Sequence, residues 1–351
     1  MWTVSVHRRV GAIRIGDVEV WIAPKLPIDR VLFLAGYAKH QHGWQDETVT
    51  LGLGEELVPA VAQMLWRQTE RALRQGVLQG YRTVDECSYV LRGRLRETDQ
   101  LRQHYGQAMP MEIRHNDFTM DVPENQILLA SITRMLTVPR VDAESRRHLT
   151  SLRARMAPAT TLVHAPDLPT WQPTRLNRRY HLALRLAEII WQATSPEHTP
   201  GSIVANGFLF NLEQIFEDFA TTAIAEQLVA RYGGIPYPQY KCHLDRAGTL
   251  LMKLDLVWTL GGRVAAVVDA KYKREMPRDD IYQMLAYCSA LGLHRGHLIY
   301  AQGDGTPVRH IVPNAGVEIV CHALDLNQSR TALLAQVERV VDELTASMQD
   351  A

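Results

Sequence analysis

Two acids and a lysine set inside otherwise apolar strands are the feature that most constrains this chain. Residues 250–260 (LLMKLDLVWTL) and 263–271 (RVAAVVDAK) read as strands, and Gly261-Gly262 between them makes the pair a hairpin. The second strand is almost wholly apolar, the pattern of a strand buried on both faces, so Asp269 and Lys271 cannot be shed to solvent by simple alternation. Register decides what they do. A two-residue loop at Gly261-Gly262 sets Asp255 opposite Val268, whereas a three-residue loop or a bulge near Gly261 to Arg263 sets it opposite Asp269. In the second register the carboxylates share a face, with Cβ atoms about 4.5 to 5.5 Å apart. Lys271, two residues beyond Asp269, points to that face too.

Adjacent carboxylates in an apolar setting repel, and a divalent cation is the natural compensation. Mg²⁺ favours hard oxygen ligands and keeps several waters, so Asp255, Asp269, the carbonyl of Ala270 and a phosphate oxygen form a reasonable shell. Such an ion activates water and polarises phosphate, while Lys271 orients or helps deprotonate the water and stabilises charge in the transition state. The plain alternative is a surface salt bridge on an edge hairpin, because a D-x-K triplet is common by chance. The apolar context and two flanking helices speak against it. Upstream, FLFNLEQIFEDF carries Glu217 on a helix with Leu212, Phe216 and Phe219 on its apolar face, suited to supporting a metal through water. Downstream, IYQMLAY sets Gln283 and Tyr287 four residues apart on one helix face, where they can position the lysine or a DNA phosphate; Lys253 is a further DNA or supporting contact.

Composition narrows the class. The 351 residues exceed what one hydrophobic core usually organises, so two domains are expected. Lys plus Arg and Asp plus Glu balance at 38 each, so DNA affinity must come from local patches or from a partner. Four dispersed cysteines, with no CxxC pair, argue against a zinc ribbon, an iron-sulfur cluster or a disulfide framework, and fit a reducing cytoplasm. Residues 1–9 show no basic segment followed by an apolar run and no stretch approaches 18 uninterrupted apolar residues, so a chain neither secreted nor membrane-spanning is expected. The chain also lacks a GxxxxGK phosphate loop and a GxGxxG fingerprint, which argues against nucleotide hydrolysis of its own.

Periodicity supplies the rest. A small meander is expected over the first 25 residues, using Val4, Val6, Ile13, Ile15, Val18, Val20 and Ile22, followed by a helix over 28–38 and a polar loop over 39–48 in which His40 and His42 find no third metal ligand. Helices are expected at 53–75, 123–136, 143–156 and 175–194, with a strand-rich stretch over 81–121. The proline-punctuated HAPDLPTWQP sets a domain boundary near 164–172. Beyond it the pattern predicts helices at 209–231, 278–291 and 327–348 and strands at 237–243, 250–260, 263–271, 296–301 and 317–322, a mixed sheet flanked by helices.

These residues resemble the McrC subunits of modification-dependent restriction systems, members of the PD-(D/E)xK nucleases. The likeness rests on FLFNLEQIFEDF, Asp255, VVDAKYK, IYQMLAY and GHLIYA, and more loosely on VGAIRIGDVEVWIAPKLPI, VLRGRLR and VPENQILLASI in the first half. Leu254 stands where the class expects proline. The resemblance implies an α+β N-terminal domain (1–165) that binds and stimulates a motor, followed by an α/β restriction-endonuclease-like domain (166–351) that cleaves double-stranded, modified DNA with Mg²⁺. The implied partner is a McrB-like AAA+ hexamer hydrolysing GTP or ATP, and Arg92 and Arg94 are the expected contacts to it. The rivals are a stand-alone RecB-like repair or defence nuclease and a non-catalytic adaptor of an AAA+ ring.

Overall fold

The structure is a computed structural model and describes residues 8–15, 17–37, 56–105, 107–162, 168–193, 205–273, 278–301 and 306–346. Val4, Val6, the loop with His40 and His42, and part of the proline-punctuated HAPDLPTWQP lie outside these residues. In chain order the elements are β1 (Arg9–Ile15), β2 (Val18–Ile22), α1 (Ile28–Tyr37), α2 (Leu57–Ala72), β3 (Gly80–Ser88), β4 (Arg94–Leu95), α3 (Glu97–His104), β5 (Met111–Thr119), α4 (Pro123–Thr137), α5 (Ala143–Arg155), α6 (His181–Ala193), β6 (Ala205–Asn211), α7 (Leu212–Tyr232), β7 (Ile235–His243), β8 (Leu251–Leu260), β9 (Arg263–Lys271), α8 (Arg278–Leu291), β10 (Arg295–Tyr300), β11 (Val308–Val312), β12 (Val317–Ala323) and α9 (Arg330–Ala346).

The chain makes two compact units that do not divide at 165/166. One comprises Met1–Gly11, Trp21–Leu57 and Leu209–Ala351, the other Ala12–Val20 and Val58–Phe208. Non-local packing is the reason. On α1, Phe33 and Tyr37 pack against Phe219 of α7, with ring centroids 5.9 and 5.3 Å apart, which draws an N-terminal helix into the C-terminal unit. Helix α6, expected beyond the boundary, packs on α4 instead. Ser131 Oγ donates to the Ala187 carbonyl at 2.9 Å, and the Arg134 guanidinium lies 3.5 Å from the centroid of the Trp191 ring.

The larger unit is built on a six-stranded sheet of order β11-β12-β10-β9-β8-β7. Strands β9, β10 and β12 run parallel, and antiparallel strands complete both sides. One face packs on α1, α7 and α9 through Phe216, Phe219, Leu256, Trp258, Val268, Ala270 and Val337. The other packs on α8 through Leu254, Val257, Val267, Met284, Tyr287 and Leu298. Helix α7 starts at 212 rather than 209 because Asn211 caps it, its Oδ1 accepting from the Glu213 and Gln214 amides at 3.2 and 3.4 Å. The residues before the cap form β6, a strand that the helical reading of FLFNLEQIFEDF absorbed. Strand β11 was also unforeseen, since its residues are mostly exposed and carry little apolar pattern.

The smaller unit holds an antiparallel sheet of order β3-β5-β4 and the helices α2, α4, α5 and α6. Helix α3 lies within what the sequence presented as a strand-rich stretch, and it joins β4 to β5. Helix α6 begins at 181 rather than 175 because Asn177 Oδ1 accepts from the Thr174 amide at 2.8 Å and fixes a turn before it.

Gly296 on β10 allows α8 to lie close on the sheet. A Cβ there would come within 2.6 Å of both Cys288 Sγ and Met284 Sδ. Gly296→Ala is therefore expected to lower stability by about 1–3 kcal/mol through overpacking. Urea denaturation checks this, and an unchanged midpoint would contradict the close approach.

Candidate active site at the β8–β9 hairpin

The hairpin reaches the register that faces the acids toward each other, though by an indirect route. At the turn Leu260 pairs with Arg263 and Thr259 with Val264, the ladder of a two-residue loop at Gly261-Gly262. A bulge between Trp258 and Thr259 then leaves Ala265 without a partner, and from Trp258↔Ala266 onward the register is shifted by one. Ala265 and Ala266 accordingly pack toward the same side. The bulge lies two residues beyond the 261–263 stretch where the sequence reading placed it.

The β8–β9 ladder ends at Leu256↔Val268, just short of the acids. Asp255 continues it by other means: its Oδ2 accepts the Ala270 amide at 2.9 Å, so a side chain takes the hydrogen bond that a strand would have made. On the other side, Gln239 stands across from Asp255 between the pairs Tyr240↔Leu254 and Pro238↔Leu256. Gln239 has φ 51 and its Nε2 donates to Asp255 Oδ1 at 3.4 Å. The strand alternation breaks here, for Leu254 packs toward α8 and Leu256 toward α7.

Asp269 is 1% exposed, and its Oδ2 lies 2.6 Å from Lys271 Nζ. That contact is an ion pair rather than a directed hydrogen bond, because the same oxygen has no hydrogen-bond partner among the described residues. Burial and then the Asp255 charge raise the Asp269 pKa well above the carboxylate range. Burial works against the Lys271 ammonium, but Asp269 and Asp255 outweigh it and its pKa is raised. Glu217, half-buried on α7, is pushed up to about 7, first by burial and then by the charge on Asp255. Glu217, Asp255 and Asp269 do not bring three oxygens within 4.8 Å of one another.

Helix α8 supplies the remaining parts. Gln283 Nε2 donates to the Tyr287 hydroxyl at 2.7 Å, and that hydroxyl donates to the Lys253 carbonyl at 3.0 Å. Burial, followed by Asp269 and Asp255, raises the Tyr287 pKa and keeps the phenol protonated. Gln283 thus holds Tyr287, not the acids, and the Lys253 side chain is exposed. Arg92 and Arg94 lie in the other unit and take no part here. The sequence reading missed Gln239, whose pairing with β8 is invisible before the edge strand is placed. It also missed buried Asp280, which accepts from Lys273 Nζ at 2.7 Å and from the Tyr300 hydroxyl at 3.2 Å. The acidic start of α8, RDDIYQ, was the available signal.

Chemically, the site has two buried acids, a third nearby whose proton affinity is raised, one carboxylate oxygen without a directed donor, and one ammonium. A hard divalent cation fits this donor set. A comparison with protein families matches residues 4–301 to a restriction-system component, the family described as "McrBC 5-methylcytosine restriction system component". The chain belongs to the McrBC family. Among solved structures, a chain of the half-complex from the tetradecameric assembly of Thermococcus gammatolerans McrB AAA+ hexamers with bound McrC is similar, at TM-score 0.58 and 18% identity over 96% of this chain and 83% of that one. A chain of the T. gammatolerans McrBC complex gives TM-score 0.38 at 18% identity, over 63% of this chain and 67% of that one. The first likeness shows a shared mixed α/β fold. A comparison with curated proteins found no match.

The raised acids make a pH prediction. Between the ordinary carboxylate pKa and the folded value near 7, the folded state holds more protons than the unfolded chain, so stability falls as pH rises through that window. Against the rising contribution of buried His297 and His322, whose pKa values burial lowers, the raised acids should add a falling slope of stability from about pH 4.5 to about pH 7 in the absence of divalent cations. Glu217→Gln should flatten that slope, and Mg²⁺ should offset it in the parent chain. Denaturant melts at stepped pH test this; equal slopes in parent and variant would show that Glu217 does not carry the effect.

Proposed function

We propose that the chain is the DNA-cleaving subunit of a McrBC-type restriction complex, a Mg²⁺-dependent endonuclease of the PD-(D/E)xK class that works with a McrB-like AAA+ hexamer. The observation that carries this reading is the close grouping of Asp255, Asp269 and Lys271 at the point where β8 and β9 part. Asp255, Asp269 and the Ala270 carbonyl would hold the ion, with Glu217 supporting it. Bound there, magnesium supplies activation of water and polarisation of the phosphodiester. The chain's own groups do the positioning. The Ala270 amide and Gln239 fix the Asp255 carboxylate, and Lys271 Nζ lies against the buried Asp269 Oδ2. Lys271, held as a cation by its two acids, sits where it can orient water and offset negative charge growing on the phosphate. Tyr287, clamped by Gln283, holds the β8 backbone at Lys253 and so keeps the strand end in place. Leu254 occupies the place of the class's proline and is fully buried, anchoring β8 beside the site.

Membership of the McrBC family over 4–301 favours this reading over a stand-alone RecB-like nuclease, which leaves the first half unused. The T. gammatolerans assembly similar in fold contains McrB AAA+ hexamers, and a motor of that kind is the partner proposed here. Among the described residues no helix is long and apolar enough to cross a membrane. Modified double-stranded DNA is the proposed substrate, with the nucleotide hydrolysed by the partner. Arg92 and Arg94 are the proposed partner contacts, and the smaller unit supports the choice. Gly93 between them has φ 74 and lies so close to β5 that a Cβ would meet the Arg114 carbonyl at 2.3 Å. Arg94 stands directly opposite Arg114, a like-charge pair that weakens a sheet. Arg114 is neutralised by Asp85 through bonds of 2.6 and 2.7 Å. Exposed Tyr89, Val90 and Leu91 lie just before them.

Asp269→Asn and Lys271→Ala are expected to cut DNA cleavage by roughly a hundred- to a thousandfold or more, with fold and partner binding retained. Cleavage assays with the partner motor in Mg²⁺ check this, and full activity in either variant removes the assignment. In the full-length chain, Arg92→Ala with Arg94→Ala is expected to lower stimulated nucleotide hydrolysis by roughly tenfold, the loss of charge-assisted contacts across the interface. The test titrates the variant against the motor; unaltered stimulation would place the contact elsewhere. A 1–165 fragment is unsuited to this test, since it lacks the α6 that packs on α4.

A further inference from the structure

We propose that Cys87, His104 and Glu112 form a zinc-type metal site in the smaller unit, with three protein ligands and an open fourth position. Cys87 on β3 and Glu112 on β5 are direct cross-strand partners, and His104 is the last residue of α3, the helix connecting β4 to β5. His104 Nε2 lies 3.7 Å from Cys87 Sγ and 3.0 Å from Glu112 Oε1, and all three ligand atoms fall within 4.8 Å of one another. Tetrahedral zinc, with bonds of about 2.3 Å to sulfur and about 2.0–2.2 Å to nitrogen or oxygen, separates its ligands by about 3.3–3.6 Å. The two spacings made by His104 bracket that range, so an ion could enter with small adjustments of these side chains.

The surroundings hold the ligands in place. Arg96 Nη1 lies 3.7 Å from Glu112 Oε2, the oxygen that does not face His104, which favours one-oxygen ligation by Oε1. Arg96 is itself held by Asp85 at 3.5 Å and by Asp99. Gln100 Oε1 accepts the Glu112 amide at 2.7 Å, and its Nε2 donates to the Gln107 and Pro110 carbonyls at 2.8 and 2.9 Å. This buried glutamine ties α3 to the start of β5. Glu112 is buried, His104 half-buried and Cys87 exposed, so the metal has a route in and its fourth position faces solvent. Thiolate, imidazole and carboxylate together select zinc over magnesium, which separates this site from the all-oxygen one on the hairpin. On binding, Cys87 gives up its proton to solvent and ligates as the thiolate. The ion would cross-link β3, β5 and α3, pinning a helix that otherwise rests on a thin three-stranded sheet.

The test uses the full chain, stripped with chelator and titrated with Co²⁺ in excess Mg²⁺, so that oxygen-only sites are filled. One equivalent should produce thiolate-to-cobalt charge-transfer absorption, and Zn²⁺ should displace it. Cys87→Ser and His104→Gln should each abolish the band and weaken Zn²⁺ binding by about a hundredfold or more, while Cys242→Ser keeps both. Hydrogen exchange across α3 should slow on adding Zn²⁺ to the parent chain and stay constant in Cys87→Ser, with unchanged circular dichroism showing that the variant is folded. A saturated parent chain without the band, or a band retained in folded Cys87→Ser, means a hydrogen-bonded trio only and overturns the proposal.

Discussion

The repulsion between Asp255 and Asp269 governs how the larger unit is organised around its sheet. Two acids sharing a buried strand end is costly, and each neighbouring group answers part of that cost. The Ala270 amide and Gln239 bind one carboxylate, Lys271 pairs with the other, and Glu217 keeps its proton longer than an exposed acid would. These answers come from three segments, β7, β9 and α7. The segments meet only because the apolar residues on both faces of the sheet bring them there. The core thus serves to hold charges at close quarters, and the proposed cation would complete the compensation that Lys271 begins at Asp269.

Much of this was legible from residues alone, for identifiable reasons. A glycine turn between two apolar runs forces a hairpin, and an apolar strand ending in Asp-Ala-Lys cannot be a surface strand by chance alone. The four-residue spacing of Gln283 and Tyr287 places them on one helix face, where they bond to each other. What escaped depends on pairing that spans the chain. Gln239 acquires meaning only when β7 is laid beside β8. Phe33 and Tyr37 join the C-terminal unit through Phe219, nearly two hundred residues away in sequence, so a boundary set by proline-rich linkers could not anticipate it.

The Cys87, His104 and Glu112 grouping escaped for a different reason. Its members are spread over a stretch that read as strand-rich, with none of the short spacings that mark a metal motif. Helix α3 brings the histidine back over the sheet, and nothing in the hydrophobic pattern announces that helix, whose exposed face carries Leu101 and whose only buried residue is Gln100. A polar helix held by one glutamine is visible to hydrogen bonding and invisible to periodicity.

The unpaired Ala265 has a consequence for how such a site can vary. Side chains along a strand alternate like the two phases of a wave, and a bulge shifts the phase by half a period. With the shift located inside the strand, the turn at Gly261-Gly262 keeps its tight two-residue form, and the acids stay in phase with one another. Turn and chemistry are thereby uncoupled. Related chains could swap one hairpin loop for another without disturbing the acids, provided the half-period offset survives. Removing Ala265 itself would let Trp258↔Ala266 follow Thr259↔Val264 directly and keep the acids opposed, whereas ironing out the bulge so that Trp258 paired with Ala265 would cast Asp269 onto the opposite phase with no change of composition or length.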